Sequence, residues 1–72
     1  MNTKDKKGKT ILQGQVIKFN VQDAQGYEHY PEMEITATVT NSPNESDSEP
    51  LVTANDNDMN FYDLTPDKVE VL

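Results

Sequence analysis

Glu32-Met-Glu-Ile-Thr-Ala-Thr-Val-Thr-Asn41 alternates more regularly than any other part of this chain. Met33, Ile35, Ala37 and Val39 share one parity, and Glu34, Thr36, Thr38 and Thr40 share the other. That is the period-two pattern of a strand with one face on a core and one face in water. The β-branched content of the stretch agrees, because branched side chains fit a pleated surface. A strand needs partners, so the flanking sequence decides what this one belongs to.

Upstream, Ile17, Phe19 and Val21 share a parity, with Lys18, Asn20 and Gln22 opposite. Leu12 and Val16 fall on the other parity, and Gly14 stands between them. A turn or bulge at Gly14-Gln15 restores the register. Asp23-Ala-Gln-Gly26 carries turn chemistry, and Tyr27, His29 and Tyr30 follow in a loop that Pro31 closes. Downstream, Asn41 to Pro50 has no apolar side chain except its two prolines and reads as an exposed, mobile, acidic loop. Leu51 to Ala54 restarts a strand, Asn55-Asp-Asn-Asp58 forms a tight turn, and Met59 to Tyr62 returns as the second arm of a hairpin. Leu64-Thr-Pro-Asp-Lys68 has a capping threonine followed by proline, enough for one short helical turn. Val69-Glu-Val-Leu72 closes as a last strand.

No eleven-residue window keeps apolar groups at three-and-four spacing, so no long helix is expected. The expectation is all-β: a small five-stranded, partly closed barrel over residues 10–72, with one short helical turn before the last strand. Ile17, Phe19, Ile35, Val39, Leu51, Val69 and Val71 are the expected core. Residues 1–9 lack apolar periodicity and read as a disordered basic lead-in.

Composition narrows the function classes. A chain of 72 residues buries only roughly 60% of its unfolded surface, which argues against a deep catalytic cleft. The absence of cysteine removes disulfides, thiolate catalysis and cysteine-based zinc sites. No apolar run exceeds two residues, so neither a spanning helix nor a signal-peptide core is expected, and the protein reads as soluble and cytoplasmic. Lys4, Lys6, Lys7 and Lys9 cluster at the start, whereas from Thr10 onward twelve acids face two lysines, a net charge of −10. Such a body repels nucleic-acid phosphates and anionic membranes and attracts basic surfaces or cations. Acidity that merely keeps the protein soluble is the competing explanation.

The order Gly14-Gln-Val-Ile-Lys-Phe19, then Tyr30-Pro31 and an alternating strand, then a hairpin, then a Pro-containing turn before Val69-Glu-Val71, resembles the small SH3-like barrels of phages and mobile elements. The resemblance covers residues 12–72 and lies in the pattern of elements; it implies a fold and no activity. Nucleic-acid-binding relatives carry basic loops, and this chain carries acidic ones. Asn57 to Asp67, with Leu64-Thr-Pro-Asp67, is also similar to the acidic strand ending in Leu-Thr-x-Asp of phage uracil-DNA glycosylase inhibitors, and Glu45-Ser46 is similar to the Glu-Ser pair of those inhibitors. Here that pair falls in a loop, and the inhibitors' leading helix has no counterpart.

Three groups of residues are candidate sites. Glu45, Asp47, Glu49, Asp56, Asp58, Asp63 and Asp67 form an acidic set that, on a rigid scaffold, imitates a phosphate track and fits a basic groove on another protein, such as a host nucleic-acid enzyme. Tyr27, His29, Tyr30, Phe61 and Tyr62 form an alternative, aromatic contact patch for a structural or accessory barrel. Asp56, Asp58, Asn60 and Asp63 offer oxygens to calcium, but an EF-hand loop from Asp56 needs glycine where Phe61 stands and glutamate where Asp67 stands. His29 is the sole histidine, and Ser42, Ser46 and Ser48 lie in the acidic loop with nothing to activate them, so no catalytic set is expected. The sequence thus points to a non-enzymatic acidic protein-binding module, without cofactor or metal.

Overall fold

The computed structural model describes residues 3–41 and 51–72. Five strands, β1 (Val16–Asn20), β2 (Glu34–Val39), β3 (Val52–Asp56), β4 (Met59–Leu64) and β5 (Glu70–Val71), form one antiparallel sheet in the order β4-β3-β2-β1-β5. Helical geometry among the described residues is confined to 3-10 turns at Val21–Asp23 and Pro66–Lys68. Strands β1 to β4 meander, and the second 3-10 turn carries the chain back to place β5 on the free side of β1. This is an all-β, SH3-like, partly closed barrel, open between β4 and β5.

The quoted stretch forms β2, at the centre of the sheet. Its inward residues Ala37 and Val39 are buried, Ile35 is half-buried, and Met33 is 52% exposed because it precedes the strand and the core beneath it. Pairing of Ile17 with Ala37 on one side and Val71 on the other locks three strands into one register. The fault at Gly14 is a turn, with Gly14 at φ 93°, where a Cβ is disfavoured. The Gly14 N–H donates to the Val39 carbonyl at 2.8 Å, and the Val39 N–H donates to the Gln15 carbonyl at 2.8 Å. Leu12 and Val16 consequently point outward, while Ile11, before the turn, is buried.

The hairpin departs from the expected register. Its loop is Asn57-Asp58 alone, with Asp56 paired to Met59 and Asn57 at φ 56°, a conformation asparagine tolerates. Val52 and Ala54 face the core, and Leu51, expected there, is half-buried. Strand β4 continues past Tyr62 to Leu64 through a bulge. Val52 pairs with Leu64 and Ala54 with Phe61, so Tyr62 and Asp63 together oppose Thr53. Asp63 takes φ 59° there, and the extra residue lets Phe61 and Leu64, three apart, both enter the core.

Two further expectations are corrected. Thr65 precedes the 3-10 turn and Pro66 opens it, but the threonine side chain makes no capping bond, and its buried Oγ1 has no partner among the described residues. Residues 3–9, read as a disordered lead-in, are part of the fold. Thr3 and Asp5 are buried, Lys4 bridges Thr10, and the Lys6 N–H donates to the Val69 carbonyl. The Asp5 carboxylate accepts three backbone N–H groups, from Lys7 at 2.9 Å, Lys9 at 2.7 Å and Val71 at 2.7 Å. Burial pushes its pKa up, but the donors of Val71, Lys9 and Lys7, helped by the Lys9 charge, outweigh burial and hold it below the ordinary carboxylate value. One side chain thus ties the start of the chain to the outer edge of β5.

Candidate functional site

The acids of the body do not converge on a point. Asp56 and Asp58 are exposed at the hairpin tip, where β4 begins, and Asp63 is exposed at the bulge near its other end. Asp67 is exposed in the following 3-10 turn. Met59 to Asp63 spans about 13 Å at strand rise, so these carboxylates bracket β4. Glu45, Asp47 and Glu49 lie outside the described residues, as do Ser42, Ser46 and Ser48. The edges of that segment are tied down: Asn41 donates through Nδ2 to the Leu51 carbonyl at 3.0 Å and accepts the Thr53 N–H on Oδ1 at 2.9 Å. The Asn41 amide so extends the β2–β3 ladder by one rung.

The two ion pairs among the described residues are Lys6–Glu70 and Lys68–Asp23, each 3.9 Å. Neither includes Asp56, Asp58, Asp63 or Asp67. The four carboxylates are therefore exposed without an intramolecular counter-ion among the described residues. No three histidine, aspartate or glutamate side chains among the described residues form a group able to hold a metal ion, so the calcium alternative gains no geometric support.

The aromatic set divides by depth. Phe61, expected on the contact patch, is only 1% exposed and belongs to the core, where Phe19 meets it edge-on at 5.3 Å between centroids. Its inward direction follows from strand parity, because Asn60 and Tyr62 on either side of it are exposed. Tyr27 meets Phe61 at 5.0 Å and Tyr30 at 4.8 Å between centroids, both tilted, and His29 lies 5.0 Å from Tyr30. A continuous run of rings leads from the core to the exposed Tyr30 and His29. Backbone turns hold the loop: the Tyr27 N–H donates to the Ala24 carbonyl and the Tyr30 N–H to the Tyr27 carbonyl. Gln22 Nε2 donates to the Tyr30 carbonyl at 2.8 Å.

The loop also reaches β4. The Gln25 N–H donates to the Tyr62 carbonyl at 3.0 Å, which brings the aromatic loop against the strand that the acids bracket. Tyr62 is 50% exposed, and Met59 is an exposed apolar neighbour on the same strand. The acidic and aromatic candidates, read from the sequence as alternatives, thus border one strand. Met59 and Gln25 were missed as members. Met59 is legible as an apolar residue beside the hairpin turn, whereas the contact of Gln25 with β4 has no signal in the sequence.

No protein-family model, no curated protein and no solved structure matches this chain.

Proposed function

We propose that the protein is a non-enzymatic binding module whose acidic surface along β4 engages a basic surface of another protein. The observation that carries this reading is the placement of Asp56, Asp58, Asp63 and Asp67: all exposed, fixed on a hairpin, a bulge and a turn, and outside the two ion pairs found among the described residues. Fixed carboxylates on a body of −10 steer cationic partners and repel nucleic acids and anionic membranes. The basic groove of a nucleic-acid enzyme fits such a surface, and the protein then acts as an inhibitor that takes the place of nucleic acid, in the manner of phage-encoded blockers of cytoplasmic host enzymes. Among the described residues no helix is long and apolar enough to cross a membrane.

A second reading has its own observation. The Tyr27, Tyr30 and His29 rings form a partly exposed run of tilted contacts, which suits docking through aromatic contacts with acidity serving solubility. Capture of a partner from bacterial lysate, followed by a salt titration and competition with DNA or RNA, separates the two. A charge-driven complex weakens steeply as salt rises and is displaced by nucleic acid. Aromatic docking is insensitive to both.

A further inference from the structure

The two edges of the sheet are finished differently. The outer side of β5 is closed by the N-terminal segment, through Lys6 N–H to Val69 carbonyl and Val71 N–H to Asp5 carboxylate. On β4 the corresponding closure is the Gln25 N–H on the Tyr62 carbonyl, at the bulged end of the strand. At the hairpin end the register turns Asn60 outward. Asp56 and Met59 flank a two-residue loop and pair directly, so the next pair, Asn55 with Asn60, is the one whose backbone groups point away from each other. The Asn60 N–H and carbonyl therefore face away from β3. Around them stand the exposed side chains of Met59 and Tyr62 and the carboxylates of Asp56, Asp58 and Asp63.

We propose that the Met59–Tyr62 edge of β4 accepts an extended, lysine- or arginine-rich segment of the partner as an added antiparallel strand. The inference rests on the acidic-surface reading above and names how the partner docks. Backbone pairing at an open edge supplies hydrogen bonds without regard to sequence, and the side chains beside the edge choose the occupant. A second copy is disfavoured, because β4 against β4 sets three carboxylates of one molecule beside three of the other. Like charges so placed are a common defence of an edge against self-association. The same charges favour a basic strand, and Met59 and Tyr62, on opposite faces of β4, leave one exposed apolar side chain beside each face of the added strand. The site is short, since Gln25 already occupies the far end.

The test uses the intact protein, labelled with nitrogen-15, and a synthetic peptide of about eight residues alternating lysine with valine, a length matched to a typical strand. Expected are shifts centred on Met59 to Tyr62 and slowed exchange of the Asn60 amide. A peptide of the same sequence N-methylated along its pairing edge should bind about tenfold more weakly or worse, having lost the backbone bonds. A glutamate-for-lysine peptide should not bind. Asp58→Asn with Asp63→Asn, both tolerant of their local backbone, should weaken the lysine peptide while leaving the melting curve in place. If the N-methylated peptide binds as well as its parent while the double variant weakens both, strand addition is overturned and the acidic-surface reading survives. Shifts confined to Tyr27 to Tyr30, or no binding at millimolar peptide, also overturn strand addition.

Discussion

Asp5→Ala should damage this fold more than an alanine substitution near a chain end ordinarily does. The wild-type carboxylate accepts from the Lys7, Lys9 and Val71 amides at 2.7–2.9 Å and is 6% exposed. Hydrogen bonds to a charged acceptor are worth about 1.5–3 kcal/mol each. Lys7 and Lys9 sit on an exposed turn where water replaces part of that, whereas the bond to Val71 is buried and its N–H would be orphaned. The net cost is about 2–4 kcal/mol, or a fall in Tm of very roughly 10–25 °C for a domain of this size. Asp5→Asn should lie between, since one oxygen remains to accept but its new NH2 faces a donor. The pH dependence has a definite sign. A carboxylate held below its ordinary value contributes stability above the unfolded pKa near 3.9 and loses it as pH falls through the folded value. Wild type should therefore lose an acid-limb increment that Asp5→Asn lacks. Thermal and urea melts by circular dichroism between neutral and acid pH measure all of this. An Asp5→Ala cost under about 0.5 kcal/mol, with Val71 amide exchange unchanged, would refute the tether.

Three other outcomes follow from the packing. Phe61→Ala should cost about 3–5 kcal/mol and Tyr62→Ala about 0.5 kcal/mol or less in urea unfolding, because adjacent residues face opposite ways; equal costs would mean the strand is misregistered. Thr65→Val should be neutral or stabilising by about 1 kcal/mol, since it swaps a buried hydroxyl without a described partner for a methyl of the same shape; a clear loss would reveal a bond to Oγ1. Millimolar calcium should leave Tm unchanged, and a rise abolished by Asp56→Asn with Asp58→Asn would establish an ion site by mass action.

Much of the barrel was legible because alternation survives in β1 and β2, where Ile17, Phe19, Ala37 and Val39 obey parity and Gly14 marks the interruption. The last strand was legible from Val71, but it runs over Glu70–Val71 and not Val69 to Leu72, because Val69 ends the preceding 3-10 turn. Elsewhere local pattern and tertiary need diverge. Phe61 and Leu64 cannot share one face of a regular strand, and the bulge at Tyr62-Asp63 that reconciles them has no glycine to announce it. Leu51 and Val52 are both apolar, so the phase of β3 was set by its pairing with β4. Asp5 was invisible because a lysine-rich nonapeptide looks disordered unless its one acid finds three amides, one of them 66 residues away. The acidic and aromatic residues were legible as types, but their meeting along β4 depends on Gln25 reaching Tyr62, a contact that no periodicity encodes.

The most direct measurement of the account is the affinity and association rate of the captured partner for wild type and for a variant carrying Asp56→Asn, Asp58→Asn, Asp63→Asn and Asp67→Asn, across a range of salt. Exposed acids add little to stability, so the two proteins should melt together, with Asp67 checked because it lies in the first turn of the second 3-10 segment. The variant should bind far more weakly, mainly through slower association, with a shallower salt dependence, and nucleic acid should compete with wild type. Equal binding of the folded variant, with partner, wild type and nucleic acid forming a ternary complex, would contradict it.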